Sequence, residues 1–392
     1  MNTTTEERIR QVLCHAIESG VTAGANLLVL KDGKEVLYME EGLADRENHK
    51  EIRRDTIFRL YSMTKPITAA AVMILLERGL IDLEEPVAEY LPEFADQYIE
   101  KDGTFTKVGE PMKLIHLLNM TSGLSYGGEN PGAERKTQVL LNECCRKVHT
   151  KEAVTTREFA ARLGKMPLLF QPGRGWRYSL SADVLGAVIE IASGMKFGEF
   201  LEKELFSPLG MKDTAFWVPE NKQERLVRAY GSDGRGGMMP YTGDHLVINY
   251  AMDCPPAFES GGAGLTSTID DYSRFAQMLL GKGELDGVRI LSERMVDYLT
   301  AGGLNGWEQD AFESEFGLYL PGYTYSHLMR ILQDPAKASV IGSRGEYGWD
   351  GWLGCYFANL PERGMTILLM QQKKDAGTIP MTRKIRNIIC SE

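Results

Sequence analysis

Residues 58–79 constrain the fold most. They hold the longest apolar run of the chain, residues 67–76, with Pro66 at its head. Proline lacks an N–H and fits only the first turn of a helix, where that group has no bond to make. A helix therefore starts near Ser62. Ala69, Ala70, Ala71, Val72, Met73, Ile74, Leu75 and Leu76 follow, apolar all round, the pattern of a helix inside the core of a large protein. Gly79 suits the C′ position that ends it. Ser62 and Lys65 are three residues apart and share a face. Ser62 sits at the positive end of the helix dipole, which favours an oxyanion. A serine hydroxyl becomes a nucleophile only when a base takes its proton. A lysine can do so once burial or nearby positive charge lowers its pKa. The same spacing also suits an N-cap serine with a solvated lysine.

Two other serines compete. In Ser193-Gly194-Met195-Lys196 the glycine directly follows the serine, at the end of the apolar run 184–192. It stops the helix there, so Ser193 and Lys196 share no face. Gly123-Leu124-Ser125-Tyr126-Gly127 matches the G-x-S-x-G nucleophile elbow. That elbow needs a strand before the serine and a helix after it. Here a helical pattern, residues 113–119, precedes the serine, and the loop Gly128-Glu129-Asn130-Pro131-Gly132 follows.

Composition narrows the function classes. A chain of 392 residues holds two domains or one large two-part unit. The formal charge of −10 argues against a nucleic-acid or anionic-membrane partner. The run 67–76 is too short to span a bilayer. The N-terminus has no basic region followed by an apolar one, so a cytoplasmic location is expected. None of the six cysteines lies in a C-x-x-C pair. There is no P-loop, no G-x-G-x-x-G after a strand and no H-E-x-x-H, so neither metal nor cofactor is expected.

Taken in order, residues 6–19 read as an amphipathic helix, and residues 25–30 and 34–41 as strands around the Asp32-Gly33 turn. Residues 127–151 read as a polar loop and a candidate pocket rim. Helices follow at 156–163, 182–192 and 198–205, then a short hairpin at 227–230 and 238–241. The glycine-rich loop 260–267 lacks a P-loop lysine and reads as a packing turn before the helix 272–280, with a further helix at 292–299. Residues 316–320, 351–359 and 365–371 are strand-like, and 382–389 closes as a helix. Strands at both ends around a helical middle make an α+β chain. One antiparallel sheet is built from both chain ends and covered by the terminal helices, with a mainly helical domain inserted. The expected boundaries are 1–58 with 287–392 for the sheet domain, and 59–286 for the helical domain carrying Ser62, Lys65 and Tyr178.

Several ordered motifs together resemble the serine β-lactamase-like superfamily, closest to its class C-type esterase and transesterase branch. They are Tyr61-Ser62-Met63-Thr64-Lys65, the stretch 117–124, Phe170-Gln171-Pro172-Gly173 with Tyr178-Ser179, Pro208-Leu209-Gly210-Met211, Gly261-Gly262-Ala263-Gly264-Leu265 and Tyr347-Gly348-Trp349-Asp350-Gly351-Trp352. The resemblance implies a β-lactamase/transpeptidase-like fold with Ser62 as the acylated nucleophile. It implies Lys65 as the group that holds or takes its proton, and Tyr178 as base or proton shuttle. Tyr178 can act as a base only as phenolate, with Lys65 and Arg177 as the cations to lower its pKa. The backbone N–H groups of Ser62 and Trp352 would form the oxyanion hole on an edge strand.

Departures from the family pattern point to the substrate. Enzymes of this kind that act on β-lactams carry Lys-Thr-Gly or His-x-Gly on that strand, whose cation anchors a carboxylate. This chain has Trp349-Asp350-Gly351, an indole and a negative charge. They also place Asn two residues after the motif tyrosine, where Leu180 stands here and cannot bond a substrate amide. The expectation is hydrolysis or acyl transfer on a small neutral ester, with Trp349, Gly351, Trp352 and Leu180 around it. A β-lactamase or D-amino peptidase, and a non-catalytic binder of this fold, are the alternatives. The sequence leaves the oligomeric state open.

Overall fold

A computed structural model describes residues 1–101 and 103–392. The helix expected at its centre runs Thr64–Glu77, after a single 3-10 turn at Tyr61–Met63, and every residue from Thr64 to Leu75 is buried. Pro66 lies in its first turn, Arg78 caps it, and Gly79 takes the left-handed conformation, φ 65°. It packs against the helices Ser181–Ser193 and Glu293–Thr300 and against the strand Tyr347–Asp350.

An eight-stranded antiparallel sheet takes its strands from both ends of the chain. In spatial order they are Tyr323–Ser326, Met329–Leu332, Tyr347–Asp350, Tyr356–Leu360, Met365–Gln371, Gly24–Lys31, Lys34–Asp45 and Lys50–Glu51. Successive side chains alternate between two apolar layers, as the period of a strand requires. Leu27, Val29, Ile367 and Leu369 pack under the terminal helices Thr3–Glu18 and Pro380–Cys390 with Ile9, Leu13, Ile385 and Ile389. Leu28, Leu30, Leu368 and Met370 face the main core with the central helix and Ile269–Leu280. The expected antiparallel sheet, built from both chain ends and covered by the terminal helices, is thus present.

Four local expectations need correction. Residues 127–151 contain a helix, Ala133–Lys147, whose buried stripe of Thr137, Leu140, Leu141 and Cys144 hides among polar residues. Phe316 ends a helix, Gly306–Phe316, rather than opening a strand; only Phe312 of that helix is buried, so no apolar period marks it. The stretch 351–359 is not one strand. It turns at 351–355, with Gly354 at φ 94° donating its N–H to the Gly351 carbonyl at 2.8 Å, before Tyr356–Leu360 begins. Nor is Tyr347–Asp350 an edge strand. It pairs with Met329–Leu332 through Tyr347 and Gly348, and only Trp349 and Asp350 run past that neighbour.

Gly351 fixes where this strand meets the central helix. A Cβ at residue 351 would lie 2.3 Å from the Leu60 carbonyl oxygen. The expected effect of Gly351→Ala is a forced backbone shift costing about 1–3 kcal/mol, of the size that overpacking costs elsewhere. Thermal unfolding checks this: the midpoint should fall by several degrees, and an unchanged midpoint would contradict the close approach.

Candidate active site

The central helix delivers Ser62 and Lys65 to one place. Tyr61, just before Ser62, is in the left-handed region at φ 46°, a strained state that persists when the surroundings fix it. Ser62 is half-buried and Lys65 wholly buried. Lys65 Nζ lies 3.1 Å from Ser62 Oγ, 2.9 Å from the Tyr126 hydroxyl and 2.8 Å from the Gly262 carbonyl. Burial pushes the Lys65 pKa down to about 7, against the opposing pull of Asp183 and Asp350. A neutral amine has two N–H donors and one lone pair. Gly262 and Tyr126 accept the two donors, leaving the lone pair to receive the Ser62 O–H.

The Gly262 carbonyl is held by the glycine-rich loop. Buried Asp183 accepts the Ser260 hydroxyl and, at 3.1 Å, the Gly262 N–H. A Cβ at residue 261 would lie 2.2 Å from the Ala182 carbonyl, so only glycine lets the loop close on the helix Ser181–Ser193. The loop does pack, as expected from the sequence, and it also supplies an acceptor that the sequence reading missed.

Tyr126 was missed as well. It follows Ser125 in the elbow-like motif, and its ring lies 5.5 Å from that of Tyr178. Ser125 itself is buried, and its Oγ accepts the Gly127 N–H at 3.2 Å, closing a turn.

Tyr178 completes the group. Its ring centroid lies 4.6 Å from Lys65 Nζ, Ser62 is within hydrogen-bonding reach of its hydroxyl, and Trp349 Nε1–H donates to that hydroxyl at 2.9 Å. Of the two cations expected to favour a phenolate, only Lys65 is near, and burial works against a resting phenolate. Burial raises the Tyr178 pKa, and Arg177 is engaged elsewhere, ion-paired to Glu134 at 2.6 Å and Glu315 at 3.6 Å. Tyr178 therefore keeps its proton at neutral pH and can donate it.

Among the described residues, no main-chain acceptor engages the N–H of Ser62 or of Trp352. The approach of Gly351 to Leu60 brings those two segments together. The Trp352 indole donates to Asp375 at 2.7 Å and stacks on His245 at 4.2 Å. Trp349 is buried against Tyr178. Asp350 is half-buried and accepts the Thr378 hydroxyl. Leu180 is 2% exposed and belongs to the apolar core, so it offers a substrate no polar contact. Among the described residues no helix is long and apolar enough to cross a membrane.

The family model described as "Beta-lactamase" matches residues 9–387. Esterase EstB of Burkholderia gladioli is 32% identical over 406 residues, covering 97% of this chain and 94% of that protein. The solved structure of EstCE1, a hydrolase with promiscuous acyltransferase activity, superposes with a TM-score of 0.84 at 24% identity, covering 98% of each chain. A mutant of simvastatin synthase LovD from Aspergillus terreus gives a TM-score of 0.80 at 21% identity, covering 100% of this chain and 98% of that one.

The buried amine generates a pH prediction. Lys65 is neutral above its pKa of about 7, so kcat/KM on an ester should rise through an inflection near that pH and level off above it. Tyr126→Phe removes one of the acceptors that hold the amine and should lower kcat about 5- to 10-fold, the worth of one hydrogen bond. Steady-state kinetics from pH 5 to 9 read both effects.

Proposed function

The chain belongs to the beta-lactamase family, and on that premise we propose that it is a serine hydrolase of small neutral carboxylic esters, working through an acyl-enzyme on Ser62. The observation that carries this reading is the buried Lys65 amine, 3.1 Å from Ser62 Oγ with its other hydrogen bonds already taken.

Ser62 Oγ attacks the ester carbonyl while its proton passes to Lys65 Nζ. The carbonyl oxygen, now negative, is received by the N–H groups of Ser62 and Trp352. The C–O bond to the alcohol breaks, and the Tyr178 O–H, oriented by Trp349, protonates the departing alkoxide. Lys65 then returns a proton to Tyr178, so both groups regain their starting states. Water or an alcohol attacks the acyl-enzyme by the same steps in reverse. Whichever takes the acyl group, the machinery is the same.

Substrate charge follows from what surrounds this chemistry. Asp350 disfavours a carboxylate on the strand beside Tyr178. Leu180, expected beside the substrate, is instead buried in the core, so that position offers a substrate amide no partner. The half-buried Trp352 supplies apolar surface instead, while Trp349 is buried behind Tyr178. A neutral ester meets these conditions better than a penicillin or a D-amino peptide.

p-Nitrophenyl acetate and butyrate test the reading. The expected result is a burst of nitrophenol equal to the enzyme concentration. Ser62→Ala should abolish it, and Ser125→Ala should keep most of it. The opposite pair of results would move the nucleophile to Ser125. A kcat/KM for nitrocefin above that for the esters would overturn the substrate assignment.

A further inference from the structure

A second strained element stands beside the candidate site. His245 and Ile248 exchange two main-chain hydrogen bonds, His245 N–H to Ile248 at 3.3 Å and Ile248 N–H to His245 at 3.0 Å. The two residues between them, Leu246 at φ 54° and Val247 at φ 63°, are both left-handed. This is a mirror-image tight turn, which favours Asn-Gly; a leucine and a β-branched valine there are out of place. The surroundings hold it. The Val247 N–H donates to Cys145 Sγ at 3.1 Å, Val247 and Ile248 are buried, and the Tyr250 N–H donates to Asp244 at 2.9 Å.

The turn delivers one ring to one place. The His245 imidazole stacks on Trp352 with centroids 4.2 Å apart and planes at 28°. Tyr61 touches both, 5.0 Å from Trp352 and 5.8 Å from His245, and Tyr241 meets Trp352 edge-on at 5.5 Å. Among the described residues His245 Nδ1 is buried without a hydrogen-bond partner, so its ring is used for contact rather than polarity. Tyr61 directly precedes Ser62. The two main-chain N–H groups assigned to the oxyanion therefore belong to Trp352 and to the neighbour of Tyr61, and the three rings in mutual contact, two stacked and the third tilted on both, set the distance between them.

We propose that His245 is a positioning residue: held by the strained turn 245–248, its ring clamps Trp352 against Tyr61 so that the N–H groups of Ser62 and Trp352 converge on one oxygen. The proposal rests on the ester-hydrolase reading above. Strain concentrates where the surroundings over-determine a geometry that function needs. Donors of an oxyanion hole act only when they are fixed before the charge develops.

The test compares wild type, Ser62→Ala, His245→Ala and His245→Phe as full-length proteins. It reads kcat and KM on p-nitrophenyl acetate, the rate of Ser62 phosphonylation by a fluorophosphonate, and the unfolding midpoint. His245→Ala should lower kcat and the phosphonylation rate together by about 10-fold, a part of what losing a whole donor costs, with KM within about twofold. His245→Phe keeps a flat ring and should recover both rates to within about threefold. Should His245→Ala fail to fold, His245→Leu, apolar but not planar, takes its place with the same expectation. Wild-type rates in His245→Ala, a change in KM alone, or a His245→Phe as impaired as His245→Ala would each overturn the clamp. Turnover surviving in Ser62→Ala would instead overturn the serine reading, whatever the His245 variants do.

Discussion

One amine taken out of water governs this structure. Lys65 is wholly buried in the first turn of an apolar helix, and desolvation brings its pKa to about 7. A charged ammonium there would lose its hydration, hydrogen-bond only neutral groups, and recover part of the loss from the more distant Asp183 and Asp350. The Tyr126 hydroxyl and the Gly262 carbonyl satisfy the neutral amine's donors and leave its lone pair toward Ser62. The apolar run that makes the helix a core element is therefore also what lowers the pKa of its lysine. Folding and chemistry share one cause.

The second constraint is distance between chain ends. Ser62 stands on a helix early in the chain, whereas Trp352 follows a strand near its end, in a sheet whose strands come from both termini. Gly351 lets the strand touch Leu60, and the aromatic contacts of Tyr61, Trp352 and His245 set the remaining spacing. Tyr178 is tied to the same strand through Trp349.

What was legible in the sequence was local. Ser62 and Lys65 are one helical turn apart, so spacing alone placed them on a common face. The central helix and the strand Met365–Gln371 carried mainly apolar patterns and emerged as read. Tyr178 and Trp352 came through the ordered motifs of the family, not through any local period. Tyr126 and Gly262 lie 61 and 197 residues from Lys65, and nothing at such range shows in a window of sequence. Arg177 misled because adjacency in sequence is not adjacency in space: its guanidinium reaches Glu134 and Glu315 while the Tyr178 ring faces Lys65. The helix Ala133–Lys147 did have a signal, since Thr137, Leu140, Leu141 and Cys144 repeat at helical spacing. Its polar majority masked them.

Everything turns on the protonation of a single side chain. Titration of the lysine Cε and Nζ resonances by NMR, with Lys65→Arg used to assign the signal, reads it directly. One lysine should titrate near pH 7 and vanish in the variant. A Lys65 signal that stays charged up to pH 10 would contradict the account.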